Sequence, residues 1–543
     1  MKVVETFLGL ALLYLAHIGT RPLANPDEGR YASIGAEILR TNEWIVPHLN
    51  GLIYFEKPPL GYWLTALGEK IFGVTLFGAR FFNALATLLT CLVLYVFCRR
   101  FLSKKVGLCA AVLYGTSGLP FGLSQVLTLD NFLTFFLTTT LLLFVSGFLE
   151  EDETRAKYCF YGAYLFMALT VLTKGLIGIV FPLLIGFPWL LLTGNIKKLK
   201  RARLFRGTLL FLLIAVPWHV AVQQRYECFF NFYFWHEHFE RYLTNTHLRG
   251  KPWYFLPTAF LCGLMPWTFF LPRLTKNAFF GTRDRERQIV LFAFLWMFGV
   301  VGFFSCSHSQ LIPYILPAVP AACVWMAIGW NKTHVKNLRF ECLLWALAFL
   351  ATVVALPLIV KKRAFVPSPT NLAWIFEGIL IIGSVGALFW LMKSFRTSDG
   401  RYVQRAFGGL LATTVLLYLL FPKLMPFFQR WNAQPLCRVI RQREAGQVEV
   451  FGLYDYFHDV PFYLNQNIGT LEFIEKEHAL GIKVQGCDRY LRWEAFQARW
   501  KEKKSCYAIV KNIFIPEFEG RMREYGFYPL TKNECFTLYC NCP

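Results

Sequence analysis

The chain has 543 residues, of which 55% are hydrophobic and only 17% charged, and it carries a formal net charge of +22. That balance excludes a soluble globular enzyme and a disordered chain, and fits a protein that crosses a bilayer many times. The positive charge is gathered into short Lys/Arg-rich loops, so it reads as membrane topology and affinity for anionic lipid rather than as nucleic-acid binding.

Apolar runs of about twenty residues, the length that spans a bilayer core, recur from the N-terminus to roughly Phe421. About thirteen spans are expected, starting near Val4, Gly78, Val106, Phe132, Tyr158, Leu176, Gly207, Trp253, Ile289, Leu311, Cys342, Leu372 and Ala406. The first is read as an anchor, since no small-residue signal cleavage site follows it. With the N-terminus inside, five basic loops fall on the cytoplasmic side: Arg99 to Lys105, Lys197 to Arg206, Arg273 to Arg287, Lys332 to Arg339 and Lys393 to Arg405. Only Lys361, Lys362 and Arg363 run against that topology. The predicted fold is an all-α polytopic membrane domain, residues 1–422, with outer loops 20–77 and 223–252, followed by a soluble α/β domain, residues 423–543.

Taken in chain order, the first feature is a polar island from Arg21 to Lys57, where Asp27, Glu28, Arg30 and Tyr31 are followed by Tyr54, Glu56 and Lys57. Ionisable groups crowded at a bilayer surface are costly to place and mark functional sites. Asn25 reads as an N-cap, Pro26 as the first helical residue, and Asp27 and Glu28 as first-turn acids of a short helix. These acids either stabilise the helix dipole or fix a negative charge beside an anion site. In FEKPP, Glu56 is a possible metal ligand, Lys57 a phosphate-seeking cation, and Pro58 and Pro59 start a second short helix.

Asp130, in LTLDNF, caps the fourth span or supplies a second carboxylate to the same face. Lys174, in LTKG, pairs with a phosphate or snorkels to the interface. The loop sequence NFYFWHEHFERY holds His236, Glu237, His238 and Arg241; the histidines are either interfacial hydrogen-bonding residues or, with Glu56, ligands of Zn²⁺ or a similar divalent ion. In SHSQLIPYILPAVPA, Gln310 and Tyr314 sit at the outer mouth of a span whose prolines break regular helix. The tail alternates strand-like runs (QVEVFGLYD, SCYAIVKNIFI, CFTLYC) with helical stretches such as Tyr490 to Lys504. Its six cysteines, Cys437, Cys487, Cys506, Cys535, Cys540 and Cys542, permit disulfides in an oxidising compartment, whereas the other nine are small residues of the spans. Charges clustered at one membrane face, with no internal repeat, weigh against a transporter.

The ordered motifs PDEGRYA, WIVPHLNGLIYFEKPPLGYW, LTLDNF, LTKG, HEH followed by RY, and PYILPAVP resemble the aminoarabinose transferase family, within the C-type glycosyltransferase superfamily that includes protein O-mannosyltransferases. The resemblance runs through nearly the whole chain. It implies a bacterial inner-membrane enzyme that moves 4-amino-4-deoxy-L-arabinose or a related sugar from an undecaprenyl phosphate carrier to lipid A or a related glycolipid at the periplasmic face. The alternative acceptor is a protein or another glycan. It further implies that Asp27 is the principal catalytic carboxylate and Asp130 the second, with Glu56 and His236, or else His238, holding the metal. Arg30, Tyr31, Tyr54, Lys57, Lys174, Arg241, Gln310 and Tyr314 then surround the carrier phosphate and sugar. Relatives read GKLPTYIL where this chain reads SQLIPYIL, so Gln310 replaces a lysine and Pro313 a threonine.

Overall fold

The computed structural model describes residues 2–240, 250–279, 284–362, 370–397, 399–428, 432–444, 446–502 and 505–542; the side chains of residues 2, 238–239, 356–362, 370–374 and 422–428 lie outside that description. Each of the thirteen apolar runs forms a helix or a bent pair of helices. Fewer of them qualify as straight spans than the sequence predicts: eight described helices are long and apolar enough to cross a membrane, or ten if each bent pair counts once. The bent pairs are Lys104–Gly115 with Gly118–Ser124, at 59°, and Phe255–Gly263 with Trp267–Phe279, at 100°. Lys2–Leu15 and Ile177–Leu192 are shorter, at 14 and 16 residues. In the PYILPAVP region, Pro313 and Pro317 confine the backbone to a 3₁₀ segment, Ile312–Ala318, before the helix Val319–Asn331 begins.

The basic loops meet at one end of the bundle, where they are knitted together by acidic partners. Arg100 pairs with Glu150, Arg201 with Glu153, Arg285 with Glu151, Lys332 with Glu286 and Arg273 with Glu341. Of the dissenting cluster, Lys361 and Lys362 end the helix Arg339–Lys362, opposite the end that starts at the basic loop Lys332 to Arg339, and Arg363 lies outside the described residues.

At the other end, the 20–77 segment folds into the helix Asp27–Thr41, a two-stranded hairpin of β1 (His48–Leu49) and β2 (Leu52–Ile53), and the helix Leu60–Phe72. The first helix starts one residue later than the sequence suggests: Pro26 is its N-cap, and Asn25 bonds through its side chain to Asp459. The backbone supplies the cap contacts, with the Glu28 N–H donating to the Ala24 carbonyl at 3.0 Å and the Arg30 N–H to Pro26 at 3.0 Å.

The tail is a six-stranded mixed sheet in the order β5-β4-β3-β6-β8-β7, formed by Glu449–Leu453 (β3), Gly469–Leu471 (β4), Tyr490–Leu491 (β5), Cys506–Lys511 (β6), Tyr528–Lys532 (β7) and Phe536–Cys540 (β8). β3 to β6 pair in parallel, and β8 joins β6 and β7 antiparallel. Two sequence expectations shift here. The last bundle helix, Gly400–Phe428, runs through the expected 422/423 boundary, and the stretch Tyr490 to Lys504 divides into β5 and the helix Trp493–Glu502. In the tail, Cys437, Cys487, Cys506, Cys540 and Cys542 stand as thiols, so the disulfides that the sequence permits are not formed among these five.

The tail sits directly on the polar island. Ser33 Oγ donates to the His458 carbonyl at 2.9 Å, Asn50 Nδ2 to Ile468 at 2.9 Å, and Arg489 to the Asn50 carbonyl at 2.8 Å. Gly29 makes this docking possible, because an added Cβ would meet Asp459 N and the His458 carbonyl carbon at 2.8 Å each.

Helix Leu60–Phe72 carries a less comfortable residue, Glu69, which is 1% exposed and whose carboxyl oxygens find no hydrogen-bond partner among the described residues. Burial pushes its pKa well up, so it folds as the neutral acid. Replacing it with a well-packed apolar residue removes that desolvation cost, and Glu69→Leu is expected to stabilise the detergent-solubilised protein by about 1–3 kcal/mol. A lower unfolding temperature for the variant would show that the carboxyl is bonded.

Candidate active site

Several elements converge on one cavity of about 550 Å³ between the bundle and the tail. The first turn of helix Asp27–Thr41 brings Asp27, Arg30 and Tyr31; the FEKPP turn brings Glu56 and Lys57; the first turn of the span Leu129–Leu149 brings Asp130; and the end of helix Glu153–Lys174 brings Lys174. His236 and Glu237 enter from the π-helical segment Asn231–Glu240, and Tyr314 from the proline-broken 3₁₀ turn. π-Helical turns are rare and concentrate at functional sites.

Three of the cavity's cations, Arg30, Lys57 and Lys174, are held by carboxylates. Lys57 Nζ donates to Glu237 Oε2 at 2.9 Å and to the Glu56 carbonyl at 2.6 Å. Lys174 Nζ lies 2.5 Å from Asp130 Oδ1 and 4.6 Å above the Tyr314 ring centroid. Arg30 bridges Asp27 at 3.3 Å and Glu477 at 2.5 Å. Asp27 is the open member of this set: its side chain is 58% exposed, against 9% for Arg30. His236 Nδ1 contacts Glu240 Oε2 at 2.6 Å, which directs Nε2 away from that carboxylate.

Two expected site residues stand outside the lining. Tyr54 is buried behind it, its ring 6.2 Å from that of Tyr62, which in turn lies 5.8 Å from Tyr31, so it builds the aromatic support of the site. Gln310 is turned into its own loop, donating through Nε2 to the Ser305 and Ser307 carbonyls at 3.0 and 3.2 Å. Arg241 and the His238 side chain lie outside the described residues.

Three features were missed by reading the sequence. The tail contributes Glu475, Lys476 and Glu477 to the lining, although its role was unreadable; the acidic run EFIEKEH was the available signal. Glu237 is Lys57's partner across 180 residues. Glu28, read only as a helix acid, is fully buried, where it accepts from Arg21 at 2.8 and 2.9 Å, from Arg80 at 2.6 and 3.0 Å, and from the backbone N–H groups of Ala24 and Leu127 at 2.7 Å each. Burial alone would raise its pKa, yet Arg21 and Arg80 together pull it down to about 2. One carboxylate thereby ties the loop that ends in Asp27 to the loop that ends in Asp130.

The lining holds six carboxylates, Asp27, Glu56, Asp130, Glu237, Glu475 and Glu477, against four Lys/Arg cations, Arg30, Lys57, Lys174 and Lys476. Its effect shows at Glu477: burial raises the pKa, Arg30 opposes, and Glu56, Glu475 and Asp27 add to the rise, leaving it at about 8.

The family model for dolichyl-phosphate-mannose-protein mannosyltransferases matches residues 56–220. The crystal structure of ArnT from Cupriavidus metallidurans bound to undecaprenyl phosphate superposes with a TM-score of 0.85, at 22% identity, over 99% of this chain and 98% of that one. The apo form of the same protein gives 0.83 at 23% identity, with the same coverage. The chain thus has the C-type glycosyltransferase fold. Among curated proteins, the undecaprenyl phosphate-alpha-4-amino-4-deoxy-L-arabinose arabinosyl transferase of Pseudomonas aeruginosa PAO1 is 31% identical over 435 residues, 79% of this chain and 76% of the relative. That of Edwardsiella ictaluri is 30% identical over 440 residues, 78% of each. The chain belongs to this arabinosyl transferase family.

Proposed function

We propose that the protein transfers 4-amino-4-deoxy-L-arabinose from undecaprenyl phosphate to lipid A or a related glycolipid, at the periplasmic face of the bacterial inner membrane. The observation that carries this reading is the cavity's composition: phosphate-seeking cations set within an excess of carboxylates. A donor with an anionic phosphate and a cationic amino sugar uses both halves, whereas a neutral sugar leaves the acidic half unmatched. The basic loops at the opposite end of the bundle match the cytoplasmic signal of the positive-inside rule, which supports a cavity and tail on the outer side.

In this mechanism, cleavage at the anomeric carbon leaves charge on the carrier phosphate, and preorganised Lys57 and Lys174 lower that barrier. The phosphate takes over cations that Glu237 and Asp130 hold in its absence. Asp27, open to the cavity beside Arg30, serves as general base for a hydroxyl acceptor. For a phosphate acceptor, already anionic, it orients the sugar or stabilises oxocarbenium-like charge.

A divalent ion, zinc by the chemistry of its donors, fits Glu56 and His236, which share the cavity. The Glu240 contact to His236 Nδ1 is the carboxylate–histidine arrangement that orients metal-binding imidazoles. No group of three His, Cys, Asp or Glu ligands assembles among the described residues, so oxygen atoms of substrate would complete the shell. When bound, such an ion supplies Lewis-acid stabilisation of phosphate charge. Purified protein should hold about one equivalent after dialysis, and Glu56→Ala and His236→Ala should each lose it. Equal metal content in all three would remove the site.

Donor choice tests the reading. An ammonium reaching a partly buried carboxylate contributes about 1.5–3 kcal/mol, so the reconstituted protein should prefer the aminopentose donor over its neutral 4-hydroxy counterpart by roughly tenfold or more in kcat/KM. Equal use of the two, or transfer to protein in place of glycolipid, would favour the O-glycosyltransferase reading.

A further inference from the structure

The last strand of the tail, β8, ends in a Cys-Asn-Cys turn. Cys540 is fully buried and Cys542 partly exposed, and their sulfur atoms lie 3.2 Å apart. The Cys542 backbone N–H donates to Cys540 Sγ at 3.3 Å. Asn541 fixes the turn independently of either thiol: its backbone N–H donates to the Cys506 carbonyl at 3.1 Å, its Oδ1 accepts from Cys506 N–H at 3.0 Å, and its Nδ2 donates to the Trp500 carbonyl at 2.9 Å. The two sulfurs are therefore held face to face by a scaffold that does not need them bonded.

We propose that Cys540 and Cys542 are a reversible thiol–disulfide exchange site whose oxidant is a low-molecular-weight or protein disulfide. The Cys542 thiolate, the accessible one of the pair, attacks a sulfur of the oxidant RSSR. One S–S bond breaks, the first RS⁻ leaves and takes up a proton, and Cys542 is left in a mixed disulfide. Cys540 gives up its proton and attacks the Cys542 sulfur, expelling the second RS⁻, which is protonated in turn. The balance is two protein thiols and RSSR giving one protein disulfide and two RSH, so the protein is oxidised and the oxidant reduced. The closed loop contains a single intervening residue, and loop-closure entropy rewards such a short loop little. The bond thus acts as a reversible modification of the tail's terminal turn and not as a staple for the domain. Cys437 and Cys506, at 1% and 0% exposure, are out of an oxidant's reach.

The test uses the full-length protein in detergent, reduced, freed of reductant and incubated natively with oxidised glutathione. It is then quenched with N-ethylmaleimide and mapped by fragment-ion mass spectrometry. In most molecules the segment after β7 should lose two hydrogens at Cys540 and Cys542, carry no maleimide there, and recover both thiols with dithiothreitol. In Cys540→Ser, Cys542 should be trapped as its glutathione adduct. Maleimide on both residues of the wild-type protein after incubation, or a disulfide joining Cys542 to any cysteine other than Cys540, would overturn the proposal. Because no membrane or substrate enters the assay, its outcome is separate from that of the transferase reading.

Discussion

Asp27→Asn is expected to leave an abundant, folded membrane protein that transfers sugar at least about a hundredfold more slowly, the scale on which loss of a catalytic charged group acts. Among the cavity carboxylates that contact its described cations, Asp27 combines wide exposure with the weakest hold, 3.3 Å from Arg30, whereas Asp130 is 10% and Glu237 2% exposed in closer pairs with lysines. The substitution keeps the shape of the side chain and its place in the first turn, so purified yield and unfolding temperature serve as controls. Near-normal turnover by the variant in a reconstituted assay would remove Asp27 from the mechanism.

The neighbouring residue should behave in the opposite way. Glu28→Gln removes the carboxylate charge that Arg21 and Arg80 share in a site where the side chains are 1%, 0% and 0% exposed. Breaking a buried ion network by deleting one partner costs about 3–5 kcal/mol, because the remaining charges stay desolvated. The expected result is a large drop in folded protein and unfolding temperature, measured by thermal shift in detergent, not a selective loss of turnover. The pH dependence has a definite sign. Glu28 titrates at about 2 in the folded protein against an ordinary 4.5, so its stabilisation is present above the ordinary value and is lost as pH falls through the folded one. A Glu28→Gln protein as stable as wild type would show that the network is dispensable.

The contrast between these adjacent acids marks how far sequence reading reaches. PDEGRY, FEKP, LTLDNF and LTKG were legible because ionisable residues between apolar runs can only lie at the ends of helices, and their order around one membrane face brings Asp27, Glu56, Lys57, Asp130 and Lys174 into one cavity. Which of two consecutive carboxylates faces the cavity and which is buried depends on Arg80, 52 residues onward, and no local pattern records that. The same limit hid Glu475 and Glu477, which reach the site only because the tail docks on Gly29, Ser33 and Asn50. Strands β4 and β5, of three and two residues, are too short to show an alternating pattern. Gln310 looked like a substrate contact by its place in a motif, but its amide satisfies carbonyls left open where the helix Asp284–Ser305 ends.

The central claim is the transfer of a cationic sugar to a glycolipid by this cavity, and mass spectrometry of lipid A from the bacterial host tests it most directly. Lipid A should carry the aminopentose mass increment when the wild-type protein is present and lose it both on deletion and with the Asp27→Asn allele. An unchanged lipid A profile across all three strains, under conditions in which the wild-type protein is present in the membrane, would contradict the account.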